Sequence, residues 1–150
     1  MTNLIVDGVC KRLSEEFGED YRVYTENVEQ GFKEPCFFVC ATSVQMTPVL
    51  CRGTEGRYNR RQGVNVTFYP KQGGDVRNEV YEVSERLMDI LEYIEADGLT
   101  RGKEIIGEFI GDSPDIVASV NVIYEFTVYK QNTDDTVLMG ELKQEVDTNG

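Results

Sequence analysis

Apolar residues at Ile5, Val6, Val9, Cys10, Leu13 and Phe17 recur every three or four positions, which predicts an amphipathic helix with Thr2-Asn3 as its cap and Gly18 as its stop. A short extended piece is expected around Tyr21 to Glu26, with Gln30-Gly31 and Pro35 punctuating the chain after it. From Cys36 to about Val49 the run is extended, and its first half is apolar on both faces. Tyr58 to Tyr69 alternates: Val64, Val66 and Phe68 fall on one face, Gly63, Asn65 and Thr67 on the other. Pro70 ends that strand. Asp75 then caps a second helix whose stripe reads Val76, Val80, Val83, Leu87, Leu91 and Ile94 and whose predicted stop is Gly98. Glu79, Glu82, Glu85, Arg86, Asp89 and Glu92 form its opposite face, read as solvated, with a partner-docking face as the functional alternative.

Leu99 to Ile110 is a weaker strand interrupted by Gly102 and Gly107, and residues 111 to 115 make a turn. The best strand follows, with Ile116, Ala118, Val120, Val122, Tyr124, Phe126 and Val128 on one face. At about 3.3 Å per residue it reaches roughly 45 Å, far beyond the usual strand. The order of elements gives an α+β fold, a mainly antiparallel sheet with two helices packed on one face. Residues 1–130 are read as one domain. Residues 131–150 are read as a polar C-terminal tail, ordered on contact, with Val137, Leu138, Met139, Leu142 and Val146 to anchor it.

Charge narrows the classes of function. Lys and Arg number 15 against 27 Asp and Glu, a net charge of -12 that repels phosphate backbones and anionic lipid. The N-terminal residues lack a secretory pattern, and the longest apolar run, Cys36 to Ala41, is far too short for a bilayer, so a cytoplasmic chain with no membrane association is expected. There is no His, which removes the commonest general base and every Ser/His or Cys/His nucleophile pair. Cys10, Cys36, Cys40 and Cys51 form no CxxC pair and read as small buried hydrophobes, so no metal and no cofactor are expected. Nothing argues for an enzyme, and no catalytic residue is assigned.

One stretch departs from the acidic average. Arg52, Arg57, Arg60 and Arg61 stand against Glu55 alone between Cys51 and Gln62, a local +3 on an otherwise acidic chain. They are read as a hairpin loop and as the candidate partner interface, docking on an acidic protein surface or touching DNA that passes nearby. The competing reading is a loop kept soluble by its arginines.

Several segments, in order, resemble tail terminator proteins of phages and prophages of Gram-positive bacteria. They are Tyr21-Arg22-Val23-Tyr24-Thr25-Glu26 leading through Val28 to Val39, Val66-Thr67-Phe68-Tyr69-Pro70, Asn78 through Leu87, Leu91-Glu92-Tyr93-Ile94, and Tyr124 through Lys130. Together they span about residues 3 to 130, and none carries chemistry. The resemblance implies a structural protein that caps the tail tube as a ring of six copies, stops tube growth and offers an interface to the neck or head. Its implied partners are further copies of itself, the tail tube protein and a neck or head-completion protein, with DNA passing in the lumen. Its implied location is the host cytoplasm during assembly and then the virion or a tail-like particle. A head-tail connector or neck protein is the nearest alternative. A small-ligand-binding regulatory domain with the same helix-on-sheet layout is a second, and it predicts a monomer or dimer with a pocket.

Overall fold

A computed structural model describes residues 1–25 and 32–131. Expectations for Glu26 to Gly31 and for the tail beyond Gln131 lie outside the described residues. The first helix, α1 (Thr2–Phe17), follows the predicted apolar stripe, burying Ile5, Val9, Leu13 and Phe17. Gly18 ends it with φ 79°, its N–H bonded to the Ser14 carbonyl at 3.0 Å. The predicted cap at the other end is not formed. Met1 occupies the capping position, no side chain bonds the first turn, and the Thr2 hydroxyl instead donates to Gln62 Oε1 at 3.1 Å. Thr2 is itself the first residue of the helix, so its hydroxyl is not in the capping position and ties the helix start to a buried amide of a distant strand.

The remaining elements are β1 (Arg22–Tyr24), β2 (Cys36–Arg52), β3 (Glu55–Tyr69), α2 (Val76–Ile90), β4 (Tyr93–Glu95), β5 (Leu99–Ile110) and β6 (Val117–Lys130). They form one six-stranded sheet in the order β1-β2-β3-β6-β5-β4. The short β1 pairs parallel with the start of β2, Arg22 opposite Cys36 and Tyr24 opposite Phe38, whereas β4–β5 and β5–β6 are antiparallel. β2 and β3 are joined by the two residues Gly53-Thr54, a connection only antiparallel neighbours permit. Gly53 takes φ 63°, the positive angle a tight hairpin turn demands at its first central position. The α+β class read from the sequence is the one observed.

The second helix is shorter than its pattern. Asp75 caps it as predicted, accepting from the Asn78 N–H at 3.4 Å, but the helix ends at Ile90 rather than near Gly98, and the chain enters β4 instead. Tertiary donors explain the early stop. Arg12 Nε donates to the Ile90 carbonyl at 3.0 Å, the Tyr124 hydroxyl to the Leu91 carbonyl at 2.7 Å, and the Gly102 N–H to the Glu92 carbonyl at 2.6 Å. These are the carbonyls that Ile94, Glu95 and Ala96 would need if the helix ran on towards Gly98. Leu91 and Ile94 are buried as their spacing predicts, but from a turn and a strand.

The contacts divide the described residues into two compact units, Met1–Gln45 with Arg61–Phe126, and Met46–Arg60 with the residues from Thr127 to Gln131. The first unit holds both helices and the core. Val64, Val66 and Phe68 of β3 and Ala118, Val120, Val122 and Tyr124 of β6 are buried against the helix stripes. Phe17 packs at 4.8 Å from Phe37, which lies 5.2 Å from Phe68. Gly8 lets α1 press on β4, since a Cβ there would come 2.7 Å from the Glu95 carbonyl oxygen.

Candidate partner-binding surfaces

Because side chains alternate across a strand, covering one sheet face with helices leaves the odd-numbered residues of β3 and β6 on the other. In the first unit this open face carries a polar ladder. Asn65 Nδ2 donates to Ser119 Oγ at 2.8 Å and to Asn121 Oδ1 at 3.0 Å, while the Thr67 hydroxyl donates to Asn65 Oδ1 at 2.7 Å. Beside it is an aromatic cluster. Phe38 stacks on Tyr24 at 5.2 Å and meets Tyr69 edge-on at 5.3 Å, and Phe32 lies 5.7 Å from both Phe38 and Tyr69. Such a face, rigidly held and partly apolar, suits a protein partner more than a small ligand.

The four arginines occupy different settings, and none lies in a loop. The sequence places turn-forming glycines among them, but the turn is confined to Gly53-Thr54. Arg52 ends β2, whereas Arg57, Arg60 and Arg61 are on β3. Arg61 belongs to the first unit, where it pairs with Glu125 of β6 at 3.7 Å. Both groups are partly exposed, and such a pair contributes about 0–1 kcal/mol.

In the second unit Arg52 and Arg57 are exposed and Arg60 is half-buried. Arg57 and Arg60 are three residues apart on a strand and so point to opposite faces. The unit also offers Leu50 and Tyr129, 70% and 72% exposed, at the rim of a groove of about 750 Å³ lined in addition by Arg52, Glu55, Arg57 and Lys130. Lys130 Nζ sits 4.7 Å from the centre of the Tyr58 ring, and the Cys51 thiol donates weakly to the Arg57 carbonyl at 3.7 Å. Its bond to Cys51 raises the Tyr58 phenol above its ordinary pKa. Across residues 46–60 and 127–131, Arg52, Arg57, Arg60 and Lys130 stand against Glu55 alone, a net +3 on a chain of -12. The charge is visible in the sequence, and so is Leu50 beside it, but Tyr129 and Lys130 reach it only through the pairing of β6 with β3.

The cysteines divide in a way their spacing does not reveal. Cys36 is buried, and that burial, with Glu34 nearby, pushes its thiol up to about 11. Cys10 is half-buried and its thiol is raised by burial and then by Asp7. Cys40 and Cys51 are exposed, contrary to their reading as core residues: Cys40 follows Val39, the last residue of β2 in the core, and Cys51 belongs to the second unit, outside the core cluster. Among the described residues no group of three Cys, Asp or Glu is placed to hold a metal ion. Glu79, expected on the solvated side of α2, is half-buried, and desolvation raises its carboxyl. No described helix is long and apolar enough to cross a membrane.

The fold defines an α+β domain with one sheet face covered by helices and the other carrying a polar ladder and an aromatic cluster. A family model described as phage tail terminator protein matches residues 4–136, nearly the whole chain, and the chain belongs to that family. A search of curated proteins returned no match. The family is one of structural proteins that complete phage tails, so association with other tail components follows, and nothing in the geometry shows catalytic activity.

Proposed function

We propose that the protein closes the end of the tail tube as a ring, halting tube growth on one side and presenting an interface to the neck or head on the other. The observation that carries this reading is the family match across residues 4–136. Six copies is the number the family resemblance implies, and a ring requires only one heterologous interface repeated around an axis. The basic second unit, with Arg52 and Arg57 exposed beside Leu50 and Tyr129, is the surface proposed to meet an acidic partner, the tube subunit or the neck protein. Charge supports this choice, since the rest of the chain carries the whole acidic excess and would repel such a partner. Arg60 belongs to the same basic unit, whereas Arg61 lies in the first unit, paired with Glu125 at 3.7 Å.

Electron microscopy of tails assembled with the reversal Arg52→Glu/Arg57→Glu tests the proposal. Both side chains are exposed, so melting should move little. Tails should overrun their normal length or fail to join heads, and binding of the unaltered protein to tubes should weaken as salt rises. Tails of normal length that join heads normally would remove the arginines from the interface. A folded protein that never appears on tails would overturn the capping role itself.

A further inference from the structure

The sheet is six strands wide only where its two outermost strands reach. β1 and β4 are three residues long, and they cover Cys36–Phe38 of β2 and Leu99–Arg101 of β5. Within the first unit, Val39–Gln45 of β2 and Glu104–Ile110 of β5 therefore each present a free backbone edge, seven residues long, among the described residues. Free edges are ordinarily blunted by lysine, proline or inward charge, because unpaired N–H and C=O groups recruit another strand. The edge Val39-Cys40-Ala41-Thr42-Ser43-Val44-Gln45 has none of these, on a chain where 42 residues are charged, 15 basic and 27 acidic. The β5 edge bears apolar side chains that its own sheet leaves open: Ile106 is 50% and Ile110 53% exposed, and Val44 on the other edge is 51% exposed.

We infer that the β2 edge Val39–Gln45 of one copy pairs with the β5 edge Glu104–Ile110 of the next, joining their sheets around the ring. This rests on the ring proposed above and specifies its interface. The alternatives within the same chain are weaker. Two β5 edges together would bring Glu104 and Glu108 of both copies into one ladder, and like charges facing each other across strands are destabilising. Two β2 edges together would leave Ile106 and Ile110 uncovered. The uncharged edge against the edge with two glutamates and exposed isoleucines avoids both faults. It is also heterologous, as ring closure requires. The bulge at Lys103, where the β5–β6 register shifts between Gly102 and Glu104, separates the part of β5 held by β4 from the part left free.

Backbone hydrogen exchange of the full-length protein, compared between isolated chains and rings assembled on tail tubes, decides the matter. Amides of both segments, 39–45 and 104–110, should exchange at least tenfold more slowly in the ring. The double substitution Ala41→Lys/Ser43→Lys, at two exposed positions, should keep the melting behaviour of the isolated chain and abolish rings. Ile106→Lys should do the same from the other side. Rings that assemble with exchange unchanged at either edge would overturn the inference while leaving the ring in place. Slowing that is lost when intact rings are released from tubes would assign the edge to the tube protein and equally overturn it. Absence of any ring would overturn the capping proposal and this inference with it.

Discussion

Tyr124 illustrates how much a single side chain decides. It is fully buried on β6, and its hydroxyl takes the Leu91 carbonyl, fixing the place where α2 gives way to β4. Tyr124→Phe leaves that carbonyl without a donor and should cost about 1–3 kcal/mol, read from chemical denaturation. Burial raises its phenol above the ordinary value of 10, because the anion would be stranded away from water. A folded-state value above the unfolded one means that the stabilisation is complete below about pH 10 and is lost as pH rises through the interval above it. Tyr21, raised mainly by desolvation, shares that direction. Alkaline unfolding of the unaltered protein should therefore be steeper with pH than that of Tyr124→Phe, and equal slopes would assign the effect elsewhere. Gln62 is a second case. It is buried yet satisfied, receiving the Thr2 hydroxyl and donating to the Ser43 and Gly63 carbonyls at 3.2 and 3.1 Å.

Among the elements, α2 has the clearest division between sequence and context. Leu87→Ala should cost about 2–5 kcal/mol through lost burial and the cavity left behind, whereas Glu85→Ala on the exposed side should cost under about 1 kcal/mol. Equal shifts in denaturation midpoint would mean the helix sits in another phase. The apolar spacing made α1, α2, β3 and β6 legible, since each has one face in a single core. It could not show where α2 stops, because Leu91 and Ile94 keep helical spacing while Arg12, Tyr124 and Gly102 take the carbonyls a helix running on to Gly98 would use. Nor could it show β4, whose three residues are too few to establish a period. The arginines were visible as charge, but spacing is silent on which strand and which face each one takes, and the exposed partners Leu50 and Tyr129 come from segments far apart in sequence. The helix-covered core was thus more readable than the basic second unit proposed as the partner surface.

For the whole molecule, the decisive fact is that β6, the last strand of the described chain, lies in the middle of the sheet between β3 and β5. During synthesis β3 is complete long before its neighbour exists, and closing the loop between them carries an entropic cost that slows formation of the sheet. Until β6 arrives, the nascent chain is two separated fragments of sheet with raw inner margins, prone to associate with each other's copies in place of their own. A chain ending at Asp115 should consequently be recovered from the insoluble fraction, while one ending at Gln131 should fold with native circular dichroism. A soluble, folded 1–115 fragment would show that β6 merely decorates the sheet. Otherwise the protein carries a built-in completeness check, in which only a finished copy has a surface fit to join a tail.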